Sequence, residues 1–321
     1  MQKNRLCNSD PLIFISSNIA CCAFSILYKF GVIKSIIESK EITEEFIASS
    51  SHPDLIKTSL QTLKNYQILK KSGSLYKLSK LGREIYKNVG TIELIHDGYG
   101  LLLANYLNIY KNRSLHPESL INGRSIASAS IAIAEQGVDP VVFNELKKLS
   151  IQGTICDLGC GSAASLLKIC KKTGLKGLGI ELNDDALKLA RESLGKKSPV
   201  KLIKGDIAKV TGKYEDVEVL MHCFAMHDIT PGKQCIRVLK SYLEHFPNMR
   251  YFFYIDSVAH TEKELSFLPG FDFIHALLGI PVRTYDETLS LFKNSGYQIL
   301  KEKALKQIPN SYLWILKPLT K

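Results

Sequence analysis

Residues 155–163 read ICDLGCGSA, and this stretch decides the fold class. An apolar run, 154–158, ends beside an acidic residue and two closely spaced glycines, and a helical pattern follows. In parallel sheets, such a strand–turn–helix unit binds a ligand, because glycine allows a sharp turn and a close approach to the backbone. We therefore predict an α/β fold with Asp157, Gly159 and Gly161 in a cofactor loop.

The same loop favours one class of cofactor. A dinucleotide site has the pattern Gly-x-Gly-x-x-Gly and holds a pyrophosphate at the helix N-terminus. Here the pattern is Asp-x-Gly-x-Gly-x-Ala. An acidic side chain before the glycines repels pyrophosphate and suits a cationic amino-acid ligand. The loop thus predicts S-adenosylmethionine (SAM) rather than NAD.

Two further strand ends carry acidic residues. Glu181 follows Asp157 by 24 residues, and a carboxylate there can accept hydrogen bonds from both ribose hydroxyls. Asp206 ends the next strand-like run, where it can accept from an adenine amino group while Ile207 lies against the ring. These spacings predict a complete SAM site.

From residue 153 onward, strand-like and helical patterns alternate, which is typical of a parallel sheet. The predicted strands are 154–158, 177–181, 200–204, 217–222, 251–256 and 312–316.

Before residue 90 the order is three helices and a hairpin, as in a winged helix. Its candidate recognition helix, residues 54–67, has only Lys57 and Lys64 as cations, whereas a DNA-reading helix usually clusters Arg, Asn or Gln. We favour a dimerisation module. A winged-helix DNA-binding regulator with a vestigial catalytic fold stays an alternative.

Composition limits the partners of this 321-residue chain. Its formal net charge is +11, but only eight of the 42 basic residues are Arg and the Lys residues are scattered. This pattern indicates a solvated surface and no nucleic acid partner, with a polyanion as the lesser alternative. Eight cysteines without a Cys-x-x-Cys spacing indicate a reducing cytoplasm. The apolar run at residues 11–27 is predicted to be a buried helix, too short and too polar to span a membrane.

The fourth strand-like run of the sheet leads into MHCFAMHDI, residues 221–229. Because ligands bind at the carboxyl edge of such sheets, we expect His227 and Asp228 near the reactive methyl group of the cofactor. His222, at the strand end, is a further candidate cofactor contact.

Residues 12–321 resemble the small-molecule O-methyltransferase family that includes plant phenolic and acetylserotonin methyltransferases. His227-Asp228 matches the first two positions of its His-Asp-Trp general-base motif, with Ile229 in place of Trp, and residues 283–287 are similar to its Arg-Thr-x-x-Glu run. The resemblance implies a homodimer with three parts. These are a winged-helix-like dimerisation domain (1–90), a helical linker contributing to the substrate pocket (91–149) and a seven-stranded Rossmann-like catalytic domain (150–321).

One branch of that family, the metal-dependent 2-oxo acid C-methyltransferases of the phenylpyruvate and 2-ketoarginine type, looks more similar still. The histidine in residues 271–277 and the segment 97–100 resemble that branch. The resemblance implies a metal site of His227, Asp228 and His275, holding Fe, Zn, Ni or Co.

Such a site has a clear chemistry. Two His and one carboxylate form a facial set that leaves open positions on an octahedral metal, where a 2-oxo acid can chelate. The metal would act as a Lewis acid while the β-carbon attacks the sulfonium methyl. Tyr99 is predicted to line the substrate pocket, and Arg124 or Arg283 to pair with the substrate carboxylate.

One alternative reaction stays open. His227 can serve as a metal-free general base for a small hydroxylated acceptor, which makes the protein a metal-independent O-methyltransferase. In that case, His275 is a pocket or core histidine.

Overall fold

The computed structural model describes residues 11–112, 115–195, 197–259, 270–308 and 310–319. By its internal contacts the chain divides into two compact units, the first ending at His96 and the second beginning at Asp97. The predicted three-part division at residues 90 and 149 stays a prediction.

The first unit is helical with one antiparallel hairpin. Gly31, at φ 76°, separates the first two helices, and the side chain of Thr43 caps the third by accepting from the backbone N–H of Phe46. Phe24 and Leu60 lie in its buried apolar core. Its elements are α1 (Pro11–Lys29), α2 (Val32–Ile37), α3 (Glu44–Ala48), α4 (Pro53–Asn65), β1 (Leu69–Ser72), β2 (Leu75–Leu78), α5 (Lys80–Lys87) and α6 (Val89–Glu93).

The first π-helical turn, Leu94–Gly98, spans the division between the units, and a second, Ala134–Val138, interrupts the helices with which the second unit begins. Such turns often mark functional sites. The helices are α7 (Gly100–Ala104), α8 (Tyr106–Lys111), α9 (Gly123–Ile133) and α10 (Asp139–Leu146).

A seven-stranded sheet follows, in the order β5-β4-β3-β6-β7-β9-β8. Its strands are parallel except β9, which is antiparallel to both neighbours. This confirms the predicted fold class. The elements are β3 (Thr154–Leu158), α11 (Ala164–Thr173), β4 (Lys176–Glu181), α12 (Asp184–Ser193), β5 (Val200–Lys204), β6 (Val217–Cys223), α13 (Gly232–His245), β7 (Tyr251–Ser257), α14 (Phe271–Leu277), α15 (Tyr285–Ser295), β8 (Tyr297–Ala304) and β9 (Ser311–Pro318).

Both faces of the sheet are covered, which explains why its central strands read as continuous apolar runs. Leu158 and Leu220 belong to the core on one face. Ile155 and Met221 belong to the core on the other. The crossovers bring the carboxyl ends of the parallel strands to one edge, where the ligand crevice of such sheets lies.

Helix α1 corrects the prediction that the apolar run at residues 11–27 is too short and too polar to span a membrane. The helix has 19 residues, and by length and composition alone it is long and apolar enough to cross a bilayer, as is the stretch Gly123–Leu146. Core helices of soluble proteins meet the same criterion. Val142 and Leu146 in the second stretch are indeed core residues.

Candidate active site

The cofactor loop lies where β3 turns into α11. Gly159 and Gly161 have φ values of 72° and 53°, a conformation that side chains with a Cβ rarely adopt. A Cβ at Gly159 would also lie 3.0 Å from the Cβ of Ala225. Both glycines are therefore required by the local backbone, as the motif predicted.

Glu181 joins this loop to the end of β4. Its Oε2 accepts from the backbone N–H of Gly161 at 2.9 Å, and its Oε1 accepts from that of Asn183 at 2.8 Å. These two bonds hold the carboxylate in place before any ligand arrives, so little ordering remains to be done on binding.

Asp206 lies at the end of the adjacent strand β5. Its Oδ1 accepts from the backbone N–H of Ala208 at 2.8 Å and starts a 3-10 turn at Ile207. The Ile207 carbonyl accepts a hydrogen bond from the Tyr242 hydroxyl at 2.7 Å. The two residues predicted to contact adenine are thus both fixed by neighbours.

Asp157 is the buried one of the three acidic residues predicted to bind the cofactor. Burial, together with the charges of Glu181 and Asp139, raises the pKa of its carboxyl to about 7. Among the described residues, no group donates a hydrogen bond to its Oδ1. An ammonium or sulfonium ligand would stabilise the ionised form, which fits the amino-acid end of SAM.

His222 requires a correction. Asp157 pairs with Met221 across β3 and β6, so His222, the next residue, faces the opposite side of the sheet. Its ring is fully buried and meets Tyr254 edge-on at 4.1 Å between ring centroids. Burial lowers the pKa of His222 to about 3. The neutral imidazole is a core residue rather than a cofactor contact.

The structure brings His227, Asp228 and His275 together, with one ligand atom from each within 4.8 Å of the others. His227 and Asp228 lie on a 3-10 turn just after β6, and His275 projects from α14. The Nε2 atoms of the two histidines are 3.3 Å apart, and Asp228 Oδ1 lies 3.5 Å from Nε2 of His227.

Nδ1 of each histidine already has a hydrogen-bond partner. Nδ1 of His227 is 2.6 Å from Oδ1 of Asp256, and Nδ1 of His275 is 2.8 Å from the Phe271 carbonyl oxygen. The carbonyl can only accept, so Nδ1 of His275 is the donor. Burial raises the pKa of Asp256, but His227 outweighs it, so the net pKa is lowered and the ionised carboxylate accepts from His227.

These bonds leave the Nε2 atoms of His227 and His275 facing each other at 3.3 Å. Burial opposes the charged form of His227, yet Asp256 and Asp228 prevail and raise its pKa to about 9. Burial and the neighbouring His227 lower the pKa of His275. The raised pKa of His227 favours its protonated form at neutral pH, and its Nε2–H can then donate to Nε2 of the neutral His275 at 3.3 Å.

Asp256 is a site residue that sequence reasoning missed. It lies one residue before the end of β7, is almost fully buried, and gives His227 the carboxylate partner typical of metal-binding and catalytic histidines. The signal was available: Asp256 is the acidic end of an otherwise apolar strand, at the same sheet edge as the other candidates.

The three residues predicted to bind the substrate lie in different surroundings. Burial raises the pKa of Tyr99, and the charge of Asp228 raises it further, so the two groups interact electrostatically; that Tyr99 lines the substrate pocket stays a prediction. Arg124 forms a half-exposed ion pair with Glu192 at 3.5 Å, so its guanidinium is directed along α12. Arg283 is buried and donates to the backbone carbonyls of Met226 and Ile229. The bonds of Arg283 leave it unavailable to a substrate carboxylate, which corrects that prediction, whereas the role predicted for the half-exposed Arg124 stays a prediction.

Comparison with known proteins places this site in a class. A methyltransferase-domain family model matches residues 155–245. Indolepyruvate C-methyltransferase from Streptomyces griseus is 33% identical over 247 residues, covering 75% of this chain and 74% of that protein.

Solved structures share the fold at low identity. Human N-acetylserotonin methyltransferase in complex with SAM is 13% identical with a TM-score of 0.73, over 100% of this chain and 99% of that one. The mitomycin 7-O-methyltransferase MmcR is 14% identical with a TM-score of 0.68, over 95% and 96% of the two chains.

The protein is therefore a SAM-dependent methyltransferase. Within that class, the chain belongs to the family of the Streptomyces griseus indolepyruvate C-methyltransferase.

Proposed function

We propose that this methyltransferase methylates the β-carbon of a 2-oxo acid, assisted by a metal ion that His227, Asp228 and His275 hold. One observation carries the proposal: the Nε2 atoms of His227 and His275 lie 3.3 Å apart while their Nδ1 atoms are occupied elsewhere. The name of the 33% identical relative supports the acceptor class, since indolepyruvate is a 2-oxo acid.

The donor set fits a transition metal. Imidazole nitrogens with one carboxylate suit Fe, Zn, Ni and Co, and the choice among these depends on availability more than on affinity. Asp256 and the Phe271 carbonyl supply the outer hydrogen bonds that metal-ligating histidines typically make. When bound, the cation would supply Lewis-acid polarisation of the keto oxygen.

In the overall reaction, a methyl group replaces a proton on the β-carbon. The β-carbon loses a proton to solvent and attacks the sulfonium methyl. A carbon–carbon bond forms, the sulfur–methyl bond breaks, and S-adenosylhomocysteine leaves as a neutral thioether. The chain contributes mainly positioning, since Asp157, Glu181 and Asp206 fix the cofactor at the sheet edge and Tyr99 borders the acceptor.

A second candidate function is metal-independent O-methylation of a small hydroxylated molecule. The 2.6 Å contact between His227 and Asp256 favours it, because a carboxylate that orients the imidazole is the usual partner of a general base. In this reaction the neutral form of His227, which its raised pKa makes the minor form at pH 7, accepts the hydroxyl proton through Nε2, and His275 has no role as a ligand.

We also propose a cytoplasmic homodimer, with the first unit as its dimerisation module. Helix α1 exposes large apolar side chains, with Phe14 and Ile15 exposed by 75% and 73%. Several such residues on one helix form an apolar patch of the kind that a partner surface covers.

One experiment separates the two reactions. A panel of 2-oxo acids and phenols is incubated with isotope-labelled SAM and protein purified without chelator, and the products are identified by mass spectrometry. We expect methylated 2-oxo acids, with metal and activity both lost in His275→Ala. His245→Ala, a histidine on α13 outside the cluster, serves as the control. Methylated phenols with full activity in His275→Ala would establish the O-methyltransferase instead.

A further inference from the structure

Arg283 occupies a buried place directly behind the His227 turn. Its side chain is almost fully enclosed, with 8% of the residue exposed. The guanidinium donates through one terminal nitrogen to the Met226 carbonyl at 2.9 Å and through the other to the Ile229 carbonyl. The sequence analysis predicted that Arg283 pairs with the substrate carboxylate. Both terminal nitrogens, however, already donate to backbone carbonyls.

The two acceptors bracket the functional pair. Met226 precedes His227 and Ile229 follows Asp228, so one rigid group binds both ends of the turn. The turn has little support of its own: within it, the Ile229 N–H donates to the Met226 carbonyl at 3.2 Å. A planar guanidinium fixes two carbonyls in one geometry, which a single ammonium does less well.

The backbone of Arg283 is fixed as well. Its carbonyl accepts from the N–H of Ala259 at 2.7 Å, in the segment that leaves β7 just after Asp256. Its neighbour Thr284 begins α15 with a reciprocal capping box to Glu287. Arg283 thus links three segments: the turn with His227, the end of the strand with Asp256, and the start of α15.

We propose that Arg283 is a positioning residue that sets the geometry of His227 and Asp228 toward Asp256 and His275. It acts through the turn and does not pair with the substrate carboxylate. The inference rests on the proposed function where kcat and the KM for the 2-oxo acid are measured, whereas the His227–Asp256 contact exists whichever reaction the enzyme performs.

The test compares Arg283→Met with Arg250→Met. Arg250 is a matched control: it also donates to a backbone carbonyl, that of Ser150 at 2.8 Å, but it lies just before β7, at the opposite end of the strand from Asp256. We expect Arg283→Met to lower kcat by ~10–100-fold with the KM for SAM unchanged, the range seen when partners of catalytic or metal-binding groups are removed. Arg250→Met is expected to change thermal stability alone.

A spectroscopic readout keeps the test independent of metal. The Nδ1 proton that His227 shares with Asp256 is expected to give a low-field NMR resonance, assigned by its loss in His227→Gln. This resonance should shift or broaden in Arg283→Met and persist in Arg250→Met. Arg283→Lys, which keeps the charge without the planar fork, should restore kcat only in part and serves if the Met variant does not fold.

Two results would overturn the inference. The first is an unchanged resonance and kcat in Arg283→Met with a KM for the 2-oxo acid raised tenfold or more, which would make Arg283 the substrate partner. The second is an equal loss of kcat in Arg250→Met, which would make the effect one of general stability. Absence of metal from wild-type protein would count against the proposed function and leave the resonance test intact.

Discussion

Nδ1 of His227 and Oδ1 of Asp256 lie 2.6 Å apart, and both residues are almost fully buried at the carboxyl edge of the sheet. Neutralising this carboxylate by Asp256→Asn removes the charge that orients and supports the imidazole. We expect kcat to fall by ~10–100-fold while SAM binding is retained. Steady-state kinetics and calorimetry measure the two effects. Asp216→Asn, which alters a carboxylate hydrogen-bonded to Thr154 at the start of β3, should leave kcat unchanged.

Glu181 is expected to control cofactor affinity. Glu181→Gln retains the shape of the side chain but loses the charge that strengthens its bond to Gly161 and that we predict to strengthen a bond to the ribose of SAM. A hydrogen bond to a charged group contributes about 1.5–3 kcal/mol, so the Kd for SAM should rise by ~10–100-fold. Calorimetry with SAM checks this value. Glu192→Gln, on the neighbouring helix α12, should bind normally, and an unaltered Kd in Glu181→Gln would refute the assignment.

We expect Glu145 to make the free energy of unfolding depend on pH in the acid range. Burial opposes its charge, but hydrogen bonds from Lys301 and Lys148, at 2.7 and 3.0 Å, lower its pKa to about 2. A lowered folded-state pKa stabilises the protein above the unfolded value of 4.5, and this contribution is lost as the pH falls toward 2.

We therefore expect Glu145→Gln to cost on the order of 2 kcal/mol at pH 7, or ~4–8 °C in Tm. The difference from wild type should stay constant down to about pH 5 and shrink below it. Thermal unfolding at several pH values measures this trend. Glu244→Gln, an exposed position on α13, should follow wild type throughout. A difference that grew on acidification would contradict the assignment.

The apolar patch on α1 predicts the oligomeric state. Placing a charge in it by Ile15→Glu should shift a dimer toward monomer by desolvating a carboxylate at the interface. Light scattering after size exclusion measures the mass. Leu55→Glu, at an exposed apolar position of α4, is the control and should leave the mass unchanged. A wild-type monomer, or detergent-dependent solubility, would argue for another occupant of the patch.

Much of this architecture follows from sequence, because buried parallel strands and glycine turns leave strong local signals. Strand β8 was missed because residues 298–304 are mostly exposed, with the polar sequence QILKEKA, and its place is fixed by pairing with β9. No local pattern distinguishes such an edge strand from a loop.

The sequence predicted the site residues whose role depends on residue type. It failed for those whose role depends on where the side chain points. His227, Asp228 and His275 meet as the family resemblance implied. The face on which His222 lies depends on strand register, and the partners of Arg283 come from a turn more than fifty residues earlier in the chain. Asp256 was passed over although it closes an apolar run at the same sheet edge, because its partner His227 comes from a turn 29 residues earlier in the chain.

The most direct measurement of the central claim is the product formed with ¹³C-methyl-labelled SAM and a 2-oxo acid, before and after metal removal by chelation. NMR should show the labelled methyl bonded to the β-carbon, formation should cease in the chelated protein, and a divalent metal should restore it. A labelled methyl on oxygen, or undiminished carbon methylation by protein shown to be free of metal, would contradict the account.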